Sequence, residues 1–272
     1  FWMATEDHDF EEVNHIHLFS KKIAWKTINK GPVGRMRLDG INEVLDVLKE
    51  VLRKEENTEK VIQLFSDAYL NHQNLAAASR YLVNELFGQY GLVVLDGDDA
   101  RLKKQFTSII KKDVLNQGFE KVIADCSRAL AVNYKPQAFV RPINFFKLSD
   151  EKRELIKEEI SEEEIEDFPE KFSPNVLLRP LYQESILPNI GYVGGASEVA
   201  YWMQLKTAFE QENLTFPILV LRNSVLWIEQ NHSKRIVKLG IEVENLFKEE
   251  AFLQKQYIAI HSDKELNLYK EI

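Results

Sequence analysis

Cysteine is almost absent from the sequence, since Cys126 is the only one in 272 residues. A single cysteine cannot form an internal disulfide or a Cys-x-x-Cys metal site, so we predict a reducing, cytoplasmic location. Acidic residues outnumber basic ones, 43 to 35, which leaves a formal net charge of -8. Nucleic acids are bound by basic surfaces, so this balance argues against a nucleic-acid partner. No apolar run is long enough to span a membrane, and no membrane partner is predicted.

Common catalytic signatures are missing as well. The chain has neither the Gly-x-Ser-x-Gly motif of a serine nucleophile nor the His-Glu-x-x-His motif of a zinc site. Cys126 lies in the helical stretch KVIADCSRAL, where a buried, inert thiol is expected. The chain begins at Phe1 with a strand-like run, without an initiator methionine or a signal-peptide pattern. We therefore predict that the 272 residues are a fragment of a longer protein.

The residues that are present alternate between helical and strand-like patterns. Three amphipathic helices are predicted within residues 39–90, where apolar residues recur at spacings of three and four. Apolar runs at residues 91–95, 190–193 and 216–221 are typical of strands buried in a parallel sheet, and the last is predicted to continue over residues 225–228. This alternation predicts an α/β fold with a Rossmann-like parallel sheet core and helical connecting insertions.

The predicted domain organisation follows the same patterns. Residues 149–172 are dominated by glutamate and lysine, and we interpret them as an acidic linker or mobile insertion. The other predicted segments are 1–30 (core), 31–90 (mainly helical insertion), 91–148 (core and a second connecting region), 173–235 (core) and 236–272 (C-terminal helical segment).

Polar side chains, or turn glycines that can offer backbone N–H groups, follow four of the predicted strands. They are Glu6, Asp7, His8 and Asp9; Asp96, Asp98 and Asp99; Gly194, Gly195, Ser197 and Glu198; and Arg222 and Asn223. Ligands bind outside the carboxyl ends of the strands in open parallel sheets, so we expect these groups to converge on one rim.

Each group can be interpreted as a structural feature or as part of a binding site. The acidic residues could cap the helices that follow them. The turn at residues 194–197 could offer backbone N–H groups to an anion, but it lacks the P-loop lysine and the Gly-x-Gly-x-x-Gly spacing. Arg222 could bind a carboxylate or phosphate, or lie on the surface of a turn. Asp, Glu and His can ligate metals, but their spacing matches no metal motif, so we assign no metal ligand.

Four longer stretches carry a family resemblance. They are FWMATEDHDFEEVNH, LFGQYGLVVLDGDD, FSPNVLLRPLYQESILPNIGYVGGASEVAYW and FPILVLRNS, and they occur in this order. Together they resemble the bacillithiol biosynthesis cysteine-adding enzymes, the cysteine ligase family of that pathway. The resemblance implies a Rossmann-type core like that of nucleotidylyl transferases and class I aminoacyl-tRNA synthetases, and a homodimer formed through a C-terminal coiled coil.

The resemblance also implies a reaction. The carboxyl group of L-cysteine would be joined to the amine of glucosaminyl malate, with ATP, alone or with Mg²⁺, as the activating cosubstrate and with no tightly bound cofactor. Asp7, His8 and Asp9 would be the catalytic residues, with His8 moving a proton or contacting phosphate. The substrate-binding residues would be Glu6, Asp96, Asp98, Asp99, Gly194, Gly195, Ser197, Glu198, Arg222 and Asn223.

The chain departs from the family pattern in two places. It lacks the N-terminal TGxQ-type, glycine-rich turn of the family, and the coiled coil is missing or only begun. We therefore expect the isolated piece to be inactive. Two other functions remain open, namely a metal-dependent hydrolase that uses the Asp/His cluster, and a non-enzymatic helical scaffold or binding protein.

Overall fold

The computed structural model describes residues 1–19, 21–52 and 56–262, which belong to two compact units, Phe1–Arg222 and Asn223–Ile272. The strands are β1 Trp2–Met3, β2 His15–Leu18, β3 Lys21–Ala24, β4 Leu95–Asp96, β5 Phe145–Leu148, β6 Arg153–Leu155, β7 Phe172–Pro174, β8 Gly191–Gly194 and β9 Ile218–Leu221. The helices of the first unit are α1 Phe10–Val13, α2 Ile41–Val51, α3 Thr58–Leu70, α4 Leu75–Phe87, α5 Ala100–Gln105, α6 Thr107–Asn116, α7 Glu120–Leu130, α8 Glu162–Asp167, α9 Arg179–Ile186, α10 Ala196–Trp202 and α11 Lys206–Gln211.

The strands form small sheets, two of which are parallel. Strand β1 pairs with β4, with Trp2 opposite Leu95, and β8 pairs with β9. Strands β2 and β3 form an antiparallel pair, and β5 lies between β6 and β7 in an antiparallel sheet of three strands. The predicted parallel pairing is therefore confirmed. The described residues form separate small sheets instead of the one continuous parallel sheet that we expected.

The helical insertion has the three helices predicted within residues 39–90. Helix α2 buries Ile41, Leu45 and Leu48 along one face, as their spacing of three and four requires. Helix α4 begins after Asn74, whose side chain accepts a hydrogen bond from the N–H of Ala77 and so satisfies one of the free donors of the first turn.

The largest apolar core joins helices α6 through α11 to strands β5 and β7. Its fully buried side chains include Phe119, Phe172, Leu181, Trp202 and Phe209. Burying a side chain of this size contributes roughly 1.5–3 kcal/mol, so this core fixes the elements that it joins. Helices α9 and α10 are among them, and both carry polar residues of the site described below.

The acidic segment 149–172 packs as part of this core, although we expected a linker. Strand β6 pairs with β5, and α8 buries Ile165 completely while Ser161 caps its first turn. The glutamates of α8 face outward, where Lys111 bridges Glu162 and Glu166. The composition therefore described one face of the segment and not its packing.

Two strand predictions also differ from the structure. Strand β4 is Leu95–Asp96, so it contains only the last residue of the predicted run 91–95. Gly91 adopts a positive φ after a 3-10 turn, and Val93 is exposed. Strand β9 is not buried as its composition predicts, since Ile218 is 67% exposed. Residues 225–228 form no strand.

The second unit is helical in its described part, as predicted for the end of the chain. It contains α12 Gln230–Leu239, a 3-10 segment Val243–Phe247 and α13 Glu250–His261. The predicted coiled coil is not shown by these residues. Among all the residues that the structure describes, no helix is both long enough and apolar enough to cross a membrane. The other predicted domain boundaries stay predictions.

Candidate functional site

A cleft of about 870 Å³ lies beside the edges of β1 and β8. Its apolar part includes Trp2, Val33 and Val193, and polar residues line its other part. They include His8, Arg179, Gln183, Asn189, Tyr192, Glu198 and Arg222. His8, Glu198 and Arg222 follow the carboxyl ends of β1, β8 and β9, so the structure brings together three of the four groups expected on one rim.

Arg179 is the central cation of the polar part of the cleft. It is the first residue of α9, and its side chain is 22% exposed. Its Nη2 donates a hydrogen bond of 2.6 Å to the hydroxyl of Tyr201, while carboxylate oxygens of Asp7 and Glu198 lie 3.8 and 3.7 Å from its nitrogens. Burial lowers the pKa of Arg179, but neighbouring groups, chiefly Tyr201 and Asp7, together raise it by more than burial lowers it. The net shift of the pKa is upward, and the guanidinium stays charged.

Asp7 is held from its other side by Arg153 of β6. The Arg153 guanidinium lies 2.7 Å from Asp7, stacks over the ring of Phe146 and donates to the hydroxyl of Ser173. Burial lowers the pKa of Arg153 despite the opposing effect of Asp7. Asp7 therefore lies between two arginines, which fixes its carboxylate beside the cleft.

Glu198 occupies the turn that we expected to bind an anion. One of its carboxylate oxygens accepts the N–H of Gly195 at 2.7 Å, and the other accepts the hydroxyl of Tyr192 at 2.9 Å. The predicted backbone donor at Gly195 is thus already used by the chain itself. Gly194 ends β8, and Ser197 is exposed in the first turn of α10.

Glu6 and Asp98 belong to a different, buried cluster, which we call the enclosed ion cluster: Glu6, Arg35, Asp98 and Lys103. Lys103 is 1% exposed, with Nζ 2.7 Å from Asp98 and 3.8 Å from Glu6. Arg35 donates two hydrogen bonds to Asp98, at 2.5 and 2.8 Å. This geometry is the bidentate pairing that arginine forms with carboxylates.

The pKa values of the two acids in the enclosed ion cluster are shifted in opposite directions. Burial raises the pKa of Glu6, and Lys103 only partly opposes this. Burial would also raise the pKa of Asp98, but Arg35 and Lys103 lower it below its usual range. Oε2 of Glu6 has no hydrogen-bond partner among the described residues. Both carboxylate oxygens of Asp98, in contrast, are bound by Arg35 and Lys103.

Asp96 and Asp99 have local structural partners. Asp96 accepts hydrogen bonds from Thr5 and from the N–H of Asp98, and burial raises its pKa. Asp99 caps α5 by accepting the N–H of Arg101, as predicted. These aspartates line a second, smaller cavity and do not line the cleft. The expected far wall of acidic residues is therefore elsewhere in the fold.

The remaining predicted residues make few contacts. His8 is exposed in the cleft wall, and Asp9 is exposed at the start of α1 without a capping hydrogen bond from its side chain. Asn223 belongs to the second unit, and its role stays a prediction. Cys126 is half-buried, not buried, with Sγ 3.6 Å from the carbonyl of Met203.

Within the described ranges, no group of three or more His, Cys, Asp or Glu side chains is arranged to hold a metal ion. The Asp/His cluster is dispersed because Glu6 turns into the enclosed ion cluster, Asp7 pairs with Arg153, and His8 and Asp9 face outward. The hydrolase alternative therefore gains no support from this part of the chain.

Sequence reasoning missed the cations that organise both clusters, namely Arg179, Arg153, Arg35 and Lys103. Lys103 had a usable signal, since it stands three and seven residues before the buried Phe106 and Ile110 and so falls on their helical face. Arg179 precedes Pro180 at a helix start, but that spacing does not indicate which carboxylates it reaches.

Parallel strand pairs with helical connections, and polar groups at the carboxyl ends of those strands, define a Rossmann-like α/β domain. Residues 1–223 match the family model described as "Bacillithiol biosynthesis BshC, N-terminal Rossmann-like domain". The chain belongs to the BshC family.

Curated relatives from several bacteria support this assignment. The protein from Flavobacterium psychrophilum is 45% identical over 97% of this chain, and the one from Flavobacterium johnsoniae is 42% identical over 91%. A more distant relative from Bacillus cytotoxicus is 26% identical over 91% of the chain. Each of the three is named "Putative cysteine ligase BshC". The chain covers 53%, 50% and 51% of their lengths, so it spans about half of each relative.

Proposed function

We propose that this chain is the Rossmann-like part of a cysteine ligase of bacillithiol biosynthesis, which joins the carboxyl group of L-cysteine to the amine of glucosaminyl malate. Family membership supports the reaction class, and one structural observation supports the place. That observation is the polar part of the cleft, where His8, Arg179, Glu198 and Arg222 lie together. Cytoplasmic location and a homodimer formed through a coiled coil belong to the same proposal.

The cleft suits small, charged substrates. Its two arginines can bind carboxylates, and the carboxylate of Glu198 can attract an amino group. As the C–N bond of the amide forms, the C–O bond to the activated oxygen breaks, that oxygen leaves with the phosphate group that activated it, and the attacking amine loses a proton. An imidazole can accept a proton at neutral pH, and His8 is the exposed imidazole of this cleft.

ATP would supply the activation of the cysteine carboxylate, which is a poor electrophile as a free anion. A cleft of about 870 Å³ is large enough for a nucleotide, since pockets for such ligands are roughly 300–1,000 Å³. The N–H of Gly195 could donate a hydrogen bond to a phosphate only after Glu198 moved away.

The test uses the full-length protein. Purified protein is incubated with L-cysteine and glucosaminyl malate, with and without ATP, and bacillithiol is measured by mass spectrometry. We expect product that depends on ATP, and an activity loss of about 100-fold in His8→Gln, the usual effect of removing a general base. Glu12→Gln, a change at another exposed residue of the same region, should retain activity.

A deletion strain gives the second measurement. Bacillithiol should disappear from the strain and return when the wild-type gene is restored. Normal bacillithiol in the deletion strain would contradict the proposed function. Full activity in His8→Gln would contradict the proposed role of His8.

A further inference from the structure

Most hydrogen-bond donors of Arg179 have no acceptor among the residues that the structure describes. A guanidinium has five N–H donors, and in the described residues Arg179 makes one hydrogen bond, to the hydroxyl of Tyr201. Its side chain is 22% exposed and borders the cleft. Donors that line the cleft and are not used by the described residues can bind a ligand that enters it.

The two neighbouring acids cannot easily take these donors, because other partners hold them. Asp7 lies 2.7 Å from Arg153 but 3.8 Å from Arg179. Both oxygens of Glu198 already accept hydrogen bonds, from Gly195 and Tyr192. The acids therefore balance the charge of Arg179 at a distance, and they leave its hydrogen-bonding capacity open.

Arg222 is a second open cation on the same cleft. It is exposed, and within the described ranges it has no ion pair and no hydrogen bond from its side chain, although its backbone N–H donates to Gly194. Its guanidinium lies against Gly195, where an added Cβ would come within 3.4 Å of Nε. The guanidinium is therefore close to the turn at the start of α10.

We propose that Arg179 binds an anionic oxygen group of a substrate, with Arg222 as the second contact and Tyr201 as the positioning residue for Arg179. The ligand class is a carboxylate or a phosphate, since both match the two parallel N–H bonds of a guanidinium. Resting on the proposed function, the source is either the malate part of glucosaminyl malate or the phosphates of ATP. One group serves both chemistries, and kinetics separate the two sources.

Kinetics of the full-length enzyme provide the first test. In Arg179→Gln we expect the KM for one of these two substrates to rise about tenfold or more, which corresponds to about 1.4 kcal/mol of lost binding. The value of kcat should change less, because the lost contact binds the substrate and takes no part in the chemical step. A rise for glucosaminyl malate assigns the carboxylate, and a rise for ATP assigns the phosphate. Arg128→Gln, at an exposed arginine on α7, is the matched control and should leave both KM values unchanged.

Two further variants separate binding from folding. Arg179→Lys keeps the charge but not the forked donors, and should restore only part of the loss. Tyr201→Phe removes the positioning hydroxyl and should raise the same KM as Arg179→Gln, by a smaller factor. Circular dichroism verifies the fold of each variant. Folded Arg179→Gln and Arg179→Lys proteins with both KM values within about twofold of wild type would overturn the proposal.

Direct binding distinguishes this inference from the proposed function. L-Malate and inorganic pyrophosphate are titrated calorimetrically into the full-length wild type, Arg179→Lys and Arg128→Gln proteins. We expect at least one anion to bind the wild type and the control equally, and Arg179→Lys several-fold more weakly. Binding of neither anion, or equal binding to Arg179→Lys, refutes the inference. Binding that depends on Arg179 without bacillithiol synthesis upholds the anion site and refutes the ligase.

Discussion

Asp113 makes the stability of the first unit depend on pH. It lies on α6, is completely buried, and accepts hydrogen bonds from the backbone N–H and the side-chain amide of Asn144, at 2.5 and 3.2 Å. Burial raises its pKa from 3.8 to about 7, although the two bonds from Asn144 oppose the shift. Its carboxyl group therefore keeps its proton in the folded protein at pH values where the unfolded chain has lost it.

The direction of the effect follows from proton linkage. Between pH 3.8 and about 7 the folded state binds the extra proton, so raising the pH favours the unfolded state. Each unit of pKa shift corresponds to about 1.36 kcal/mol, so the whole shift amounts to roughly 4 kcal/mol and the part above pH 5 to roughly 3 kcal/mol. Below the unfolded pKa this effect vanishes, because both states are protonated.

Asp113→Asn removes this titration with little change in side-chain shape. Urea unfolding of wild type and variant at about pH 5 and about pH 8, followed by tryptophan fluorescence, measures the effect, since Trp202 lies in the same core. The asparagine loses one acceptor, which costs about 1 kcal/mol at both pH values. Relative to wild type, the variant should therefore gain roughly 3 kcal/mol on going from the lower to the higher pH.

A matched surface variant and a clear contrary result complete the experiment. Asp125→Asn changes a partly exposed carboxylate whose pKa is lowered by Lys121, so it should show no such gain between the two pH values. An Asp113→Asn stability difference that is equal at both pH values, within about 1 kcal/mol, would refute the argument.

Three other changes test the fold itself. Lys103→Met leaves the enclosed carboxylate of Asp98 with one cation fewer and should cost about 3–5 kcal/mol, or about 10 °C in thermal melting; a loss below about 1 kcal/mol would contradict the ion-pair interpretation. Asn74→Ala removes the cap of α4 and should cost about 1 kcal/mol in urea unfolding, whereas an unchanged midpoint would show that the cap is not needed. Gly31→Ala should cost more than Gly91→Ala, because both positions have a positive φ of 94° and 82° but only the Cβ at Gly31 would meet a backbone carbonyl, at 2.3 Å; equal losses in thermal melting would contradict this.

The helices within residues 39–90 were predicted well from the sequence, because a helix carries its evidence within a few turns, whereas α8 fell in the segment predicted as a linker. The spacing of Ile41, Leu45 and Leu48 alone defines the buried face of α2. Strands were predicted less well, because a strand of two to four residues depends on a partner distant in sequence. Strand β9 shows this, since its apolar composition indicated burial while Ile218 is 67% exposed.

The candidate site was predictable only in its location. The rule that ligands bind at the carboxyl ends of parallel strands placed His8, Glu198 and Arg222 near one another, and the cleft contains all three. The rule could not separate Asp7, beside the cleft, from Glu6, which is buried in the enclosed ion cluster. Adjacent residues in a tight turn point in different directions, and their partners come from distant parts of the chain.

The enclosed ion cluster constrains how this protein can change during evolution. Lys103 and Asp98 are nearly inaccessible to water, so a mutation that neutralises one of them leaves the other charge without full compensation. Such a chain would have to survive a less stable intermediate before a second mutation restored the balance. Residues that interact this closely are not independent. Substitutions at Arg35, Asp98 and Lys103 should therefore be inherited in compensating pairs, so that the cluster changes as one unit among relatives.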